Sequence, residues 1–296
     1  MKRALRVTFA TIGIAAGVGA GLYAYLFASS SIGENELSTW LSSLDDGKAI
    51  NSLYLPGTHD SLANYALGDL SGKCQELSLQ SQLNAGARFL DLRYKVDGTS
   101  LKSAHGIVDE RTYFKDDAKT IEDFLRSHPK EFVFVSIKNE GASNPAFEDN
   151  LRSCIDDSIW NLTDALPQTV AEARGKVYLL SRYDTPTIGY DCSPAKWGEN
   201  VIFDIGAIHI QDHYKVAKVD EKKQAIEEGF SSGDKFNLHF FSGYLDPAFP
   251  PSSAVNVAKE INPWVREALD KPNSNGVAIL DFLTTSLAKE IVGRNK

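Results

Sequence analysis

A distorted TIM-type (β/α)8 barrel, of α/β class and in a single domain, is the fold this chain predicts. Three observations carry the prediction. Seven short apolar segments rich in β-forming residues recur along the chain, amphipathic helical stretches separate most of them, and nearly every one ends in a polar or charged group. The candidate strands are 52–55, 88–93, 131–138, 176–180, 207–211, 236–241 and 276–282. The candidate helices include 120–127, 146–159, 220–228, 254–269 and 286–292. Strand–helix alternation over this length favours a barrel over a sandwich. No internal repeat and no long Pro/Gly/Ser linker divides residues 33–296.

One stretch breaks the alternation. Asp97-Gly98 is a hairpin signal, and a loop that short is incompatible with a parallel crossover of a dozen or more residues. The segment 101–105 is therefore expected to be an antiparallel extension, which distorts the barrel.

Composition is that of an ordinary globular protein, with 43% hydrophobic and 24% charged residues, except over residues 1–28. There Lys2, Arg3 and Arg6 precede an uncharged apolar run over 7–28, which reads as a transmembrane signal anchor or a cleaved signal peptide. Either reading exports the domain, as a membrane-anchored extracytoplasmic protein or as a secreted one. Residues 29–44 are expected as a linker and lead-in helix, and 45–296 as the catalytic barrel. Without its three leading cations the chain carries 28 basic against 39 acidic groups, a net charge of −11. Such an acidic domain is a poor nucleic-acid binder, and any phosphate chemistry needs a locally basic pocket. Cys74, Cys154 and Cys192 match no zinc spacing and read as small buried hydrophobes, with one disulfide possible. Asn161-Leu-Thr163 fits a glycosylation triplet.

The strand ends are the informative positions. His59 and Asp60 follow the first strand, and Asp91 and Arg93 lie on the second. Lys138 and Glu140, Arg182, Asp212 and Tyr214, Ser242, and Asp281 follow in turn. Side chains two apart on a strand share a face, and barrels build their sites at the C-terminal strand ends. Two histidines suit proton transfer near neutral pH, and an arginine beside them suits charge developing on phosphate oxygens. Carboxylates next to the histidines would set tautomer and orientation. Together these groups form a metal-free kit for cleaving a phosphodiester with an adjacent hydroxyl as nucleophile. The other histidines carry less. His209 and His213 are four apart, but on a strand, which separates them too far for a zinc site. His128 before Pro129 is expected to be exposed, and His239 to be a satisfied core or rim residue.

Leu55-Pro-Gly-Thr-His-Asp-Ser61 resembles the first catalytic signature of the phosphatidylinositol-specific phospholipases C. The stretch from Gln82 to Arg93 resembles their second block, and Ala104-His-Gly106 their third. Ser136–Glu140, Leu179–Tyr183, Ile210–Lys215 and Ile279–Asp281 follow in the same order, so the resemblance spans about residues 45–290. It implies a general base at His59 oriented by Asp281, and a general acid at His105 supported by Asp60 and Asp91. Arg93 is similar to the phosphate-binding arginine of the calcium-independent bacterial enzymes, which implies no metal and no other cofactor. Lys138, Glu140, Arg182 and Asp212 match positions that hold inositol hydroxyls, and Tyr214 one that packs against the ring. The implied substrate is phosphatidylinositol or a related inositol phospholipid, with the membrane as the only other partner and no protein partner. The implied products are diacylglycerol and inositol 1,2-cyclic phosphate.

The chain departs from the family where secreted members carry an interfacial tryptophan, since 62–81 contains none. A tether would offer another route to lipid; the loop 246–251 with Phe249 could touch the bilayer but reads first as a surface loop braced by prolines. Two other functions fit parts of the pattern: a metal-dependent glycerophosphodiester phosphodiesterase, and an inactive membrane-bound barrel that binds lipid. The first would require metal ligands around Arg93, and the second would fit better had either histidine been lost.

Overall fold

The structure, a computed structural model, describes residues 37–65, 72–106, 108–231, 233–246 and 254–296. The expected anchor or signal segment at 1–28 and the Phe249 loop lie outside the described residues. Among the described residues no helix is long and apolar enough to cross a membrane.

The strands, in chain order, are β1 (Tyr54–Thr58), β2 (Phe89–Asp97), β3 (Ser100–His105), β4 (Val108–Tyr113) and β5 (Val133–Asn139). They continue with β6 (Trp160–Asn161), β7 (Val177–Arg182), β8 (Tyr190–Asp191), β9 (Ile202–Ile205) and β10 (Ile208–Gln211). The last four are β11 (Lys215–Val216), β12 (Phe236–Phe240), β13 (Tyr244–Leu245) and β14 (Gly276–Leu280). All seven candidate strands form, and they run parallel in the order β7-β5-β2-β1-β14-β12-β10.

The (β/α)8 count needs correction, because the curled sheet stays open. At one edge β9 runs antiparallel to β10, and at the other the two-residue strands β6 and β8 share the far side of β7. Among the described residues no ladder joins β8 to β9. The cause is local: Gly206, at φ +53°, reverses the chain between β9 and β10, where a helical crossover would have kept the strands parallel. The Tyr190 hydroxyl spans the gap, donating to the Ile205 carbonyl at 3.0 Å and accepting from the Ala207 amide at 2.7 Å.

The hairpin expectation at Asp97-Gly98 holds. Strands β2 and β3 pair antiparallel from Tyr94↔Ser103 to Asp97↔Ser100, and β4 adds a third strand to this arm. Two expected helices are shorter than the sequence pattern suggests. The 146–159 helix stops at Arg152, and Asp156 turns the chain by accepting from the Ser158 amide and hydroxyl. The 254–269 stretch breaks into Ala254–Ile261 and Val265–Ala268 around Pro263, which has no N–H to continue the ladder.

Residues 37–44 pack into the domain instead of leading up to it. Trp40 and Leu41 are buried, the Trp40 indole donates to the Gly86 carbonyl, and Arg88 donates to the carbonyls of Leu37 and Ser38. Arg88 is itself buried and pairs with the buried carboxylate of Glu131 at 2.7 Å.

The inner face of the sheet is apolar at its base and polar at its mouth. Phe134 stacks against Phe236 (4.6 Å) and Tyr178 (5.4 Å) inside the curl, and each such buried ring stabilises the fold by roughly 1.5–3 kcal/mol. Gly57 is required by this packing. A Cβ there would lie 2.8 Å from Val277 Cγ1, 3.1 Å from Phe89 Cβ and 3.3 Å from Ile279 Cγ1. Gly57→Ala should therefore cost about 1–3 kcal/mol through overpacking. Denaturant unfolding reads this directly, and a wild-type midpoint would show that the strands can give way.

Candidate active site

Strand register delivers the polar mouth. Arg93, Lys138 and Arg182 are direct neighbours across β2, β5 and β7. Three cations abreast would repel one another, and the intervening carboxylates offset this. Asp91, fully buried, accepts from Arg93 at 2.8 Å and from Arg182 at 3.3 Å. Burial alone would raise its pKa, but Arg93 and then Arg182 hold it far below the usual carboxylate range. Glu140 lies 2.7 Å from Lys138 and 3.5 Å from Arg93. Its carboxyl is lowered in the same way, against its burial.

His59 follows β1 directly and its backbone amide donates to the Leu280 carbonyl. Its Nδ1 lies 2.8 Å from Asp281 Oδ1, and its Nε2 lies 2.7 Å from an Arg93 nitrogen. A guanidinium offers donors only, so Nε2 accepts and Nδ1 carries the proton that Asp281 receives. The contacts thus fix one tautomer, whose Nε2 lone pair faces the cleft and is covered by Arg93.

The neighbouring Asp60 serves the second histidine. Its backbone is left-handed (φ +38°), which turns consecutive residues into the same site. Asp60 Oδ2 is 2.5 Å from His105 Nδ1 and 3.6 Å from Arg93. Burial would raise the Asp60 carboxyl, yet Arg93 and His105 bring it below its ordinary value. Burial would lower His105, yet Asp60 lifts it above the ordinary imidazole value. The antiparallel arm brings this histidine, from the end of β3, beside a residue that follows β1.

The cleft has a volume of about 390 Å³. His59, Arg93, His105, Lys138, Arg182, Asp212, Tyr214 and Asp281 line it, while Asp60, Asp91 and Glu140 hold these groups from behind. The structure therefore brings every expected site residue together, but Asp91, expected to support His105, instead binds Arg93 and Arg182 and leaves that histidine to Asp60. It also supplies residues that the sequence pattern passed over. Arg182 lies 3.6 Å above the Trp197 ring, whose indole donates to Asp212 at 2.8 Å. Tyr214 donates its hydroxyl to Glu199 at 2.8 Å, and its ring lies 5.9 Å from Tyr244. The available signal was a tryptophan in the loop Ser193–Gly198, bounded by Pro194 and Gly198.

Cys74 lies beside both histidine–aspartate pairs. His59, Cys74 and Asp281 are close enough to share a metal ion, as are Asp60, Cys74 and His105. The chemistry of the set is unfavourable, because burial and then Asp281 and Asp60 push the Cys74 thiol well up, and Arg93 already supplies the positive charge. All three cysteines are free thiols.

The remaining histidines differ in outcome. His239 is buried, with Nε2 3.2 Å from the Asn275 carbonyl, as expected for a core position. His209 contacts Asp204 and the Gly229 carbonyl, away from any zinc set with His213. His128, expected to be exposed, is half-buried against Phe124 with Nδ1 2.8 Å from that residue's carbonyl.

Comparison with known proteins places this geometry in context. The family model for phosphatidylinositol-specific phospholipase C, X domain, matches residues 56–168. A 1-phosphatidylinositol phosphodiesterase of Staphylococcus aureus is 28% identical, covering 97% of this chain and 94% of its own length. One of Listeria monocytogenes is 26% identical over 89% of this chain and 87% of its own. Among solved structures, a mutant phosphatidylinositol-specific phospholipase C from S. aureus superposes with a TM-score of 0.77. It is 23% identical and covers 89% of this chain and 100% of that one. The L. monocytogenes enzyme reaches a TM-score of 0.73 at 24% identity, over 88% and 99% of the two chains.

The His105–Asp60 pair has a measurable signature. Asp60→Asn leaves burial and Arg93, which lower the imidazole, opposed only by the weaker influence of Glu140. The His105 titration, followed by NMR, should shift to lower pH than in wild type. An unmoved titration would dissolve the pair.

Proposed function

We propose that this chain is a phosphatidylinositol-specific phospholipase C of the X-domain family, and that it cleaves phosphatidylinositol to diacylglycerol and inositol 1,2-cyclic phosphate without a metal ion. One observation carries the reading: two histidine–aspartate pairs, His59–Asp281 and His105–Asp60, flank a single guanidinium at one mouth.

In this mechanism the substrate phosphate draws the Arg93 guanidinium onto its oxygens and uncovers the His59 Nε2 lone pair. His59 then takes the proton of the inositol 2-hydroxyl, whose oxygen attacks the adjacent phosphorus. Asp281 stabilises the resulting imidazolium through Nδ1. His105, whose protonated form Asp60 favours, gives its proton to the departing diacylglycerol oxygen. Arg93 stabilises charge on the phosphate throughout. Hydrolysis of the cyclic ester runs the same groups in reverse, with His105 as the base toward water and His59 as the acid. Lys138, Arg182 and Asp212 would hold the inositol hydroxyls, with Glu140 orienting Lys138 and Tyr214 packing on the ring.

The domain would act outside the cytoplasm on a membrane substrate, with the apolar segment at 1–28 as anchor or export signal. The absence of tryptophan from 62–81 gives that segment added weight in bringing the enzyme to lipid. The metal-dependent glycerophosphodiester reading has one observation in its favour, the two cysteine-containing ligand sets, and excess EDTA separates the two.

Phosphorus NMR on phosphatidylinositol micelles should show a cyclic phosphate product whose rate survives EDTA. His59→Ala and His105→Ala should each reduce turnover by about 10²–10⁴-fold. Near-normal turnover in either variant, or a loss that only added metal restores, would overturn the mechanism.

A further inference from the structure

Lys222, on the helix Val219–Glu228, is fully buried. Its Nζ donates to the His213 carbonyl at 2.8 Å. Buried lysines are rare unless paired, because the ammonium loses its hydration. Burial pushes this amine down to about 7, and the charges that work against burial are Asp212 and Asp281. Both carboxylates line the cleft. The carbonyl that Lys222 holds lies between Asp212 and Tyr214, a third lining residue.

The backbone of that turn is otherwise held by backbone and neutral side-chain groups. The Asp212 amide donates to the Val201 carbonyl, the Tyr244 amide to the Tyr214 carbonyl, and Asn200 bonds both backbone groups of Lys215. A neutral donor would therefore have been enough to tie down His213. A cation at this point adds a positive potential beneath two carboxylates that Trp197 and His59 approach from the cleft side.

On the strength of the phospholipase reading, we infer that Lys222 is a positioning residue for substrate binding: from beneath the cleft it pins the 212–214 turn and, through its charge, holds the Asp212 carboxylate aimed at the inositol hydroxyls. It touches no reacting atom and acts through Asp212. Hydrolysis of water-soluble inositol 1,2-cyclic phosphate tests this without a lipid interface. Lys222→Met should raise KM about tenfold while kcat falls much less, in line with couplings between neighbouring residues. Its melting temperature should stay close to that of wild type, because the desolvation cost removed offsets the hydrogen bond lost to His213. In an Asp212→Asn background the same substitution should leave KM unmoved. Lys222→Gln, which keeps a donor for His213 but no charge, carries the same test if Lys222→Met does not fold. Unchanged KM in a folded variant, or lowered stability with normal KM, would overturn the inference while leaving the phospholipase reading intact. A wild-type protein that releases no product would overturn the reading, and the inference with it.

Discussion

The guanidinium of Arg93 is the constraint on which the rest of the site depends. It contacts Asp91, Asp60, Glu140 and His59 at once. Neighbouring strands lie about 4.8 Å apart, so Arg93, Lys138 and Arg182 in one register would form a repulsive row if left alone. The row is tolerated because Asp91 sits two residues inward on β2 and Glu140 follows β5. Each carboxylate is shared between two of the cations. Removing any one member would leave its partners buried and uncompensated, a costly state. The charge that suits a phosphate is therefore built into the packing of the mouth.

This arrangement explains how an acidic chain handles an anionic headgroup. The positive potential is confined to one rim, where low local dielectric strengthens it. It also bears on metal. A divalent cation would have to share Asp60, Asp91 or Glu140 with a guanidinium already in place. The two ligand sets that avoid Asp91 and Glu140 both rely on a thiol that its surroundings keep protonated.

Much of this was legible in the sequence, for a definite reason. A parallel strand buried on both faces reads as an apolar run, so a polar residue at its end stands out, as His59, Arg93, Arg182 and Asp281 do. The hairpin was legible because Asp97-Gly98 encodes its own turn. What stayed hidden depends on distant contacts. Whether the sheet closes is decided by the reversal at Gly206, which in sequence is one small residue among many. Trp197 comes from a loop without periodicity, and its role exists only because Arg182 arrives at the end of β7 and Asp212 just after β10. Lys222 read as one polar position on an amphipathic helix. Its burial beneath the cleft follows from how that helix packs.

The adjacency of His59 and Asp60 shows how little local sequence decides alone. In an extended strand consecutive side chains point to opposite faces, so a histidine and the aspartate after it would not serve one cleft. The left-handed turn at Asp60 brings them together, and for a residue with a Cβ that conformation is strained. Its neighbourhood holds it there. The Asp60 amide donates to Asp91 Oδ2 at 3.2 Å, and the Ser61 amide to the Asp91 carbonyl at 2.8 Å. Asp91 thus binds the strained backbone with the same carboxylate oxygen that binds Arg93. The turn that supplies the second histidine's aspartate and the Arg93 guanidinium are fixed by one side chain, so the two histidine–aspartate pairs and the cationic rim form as a unit.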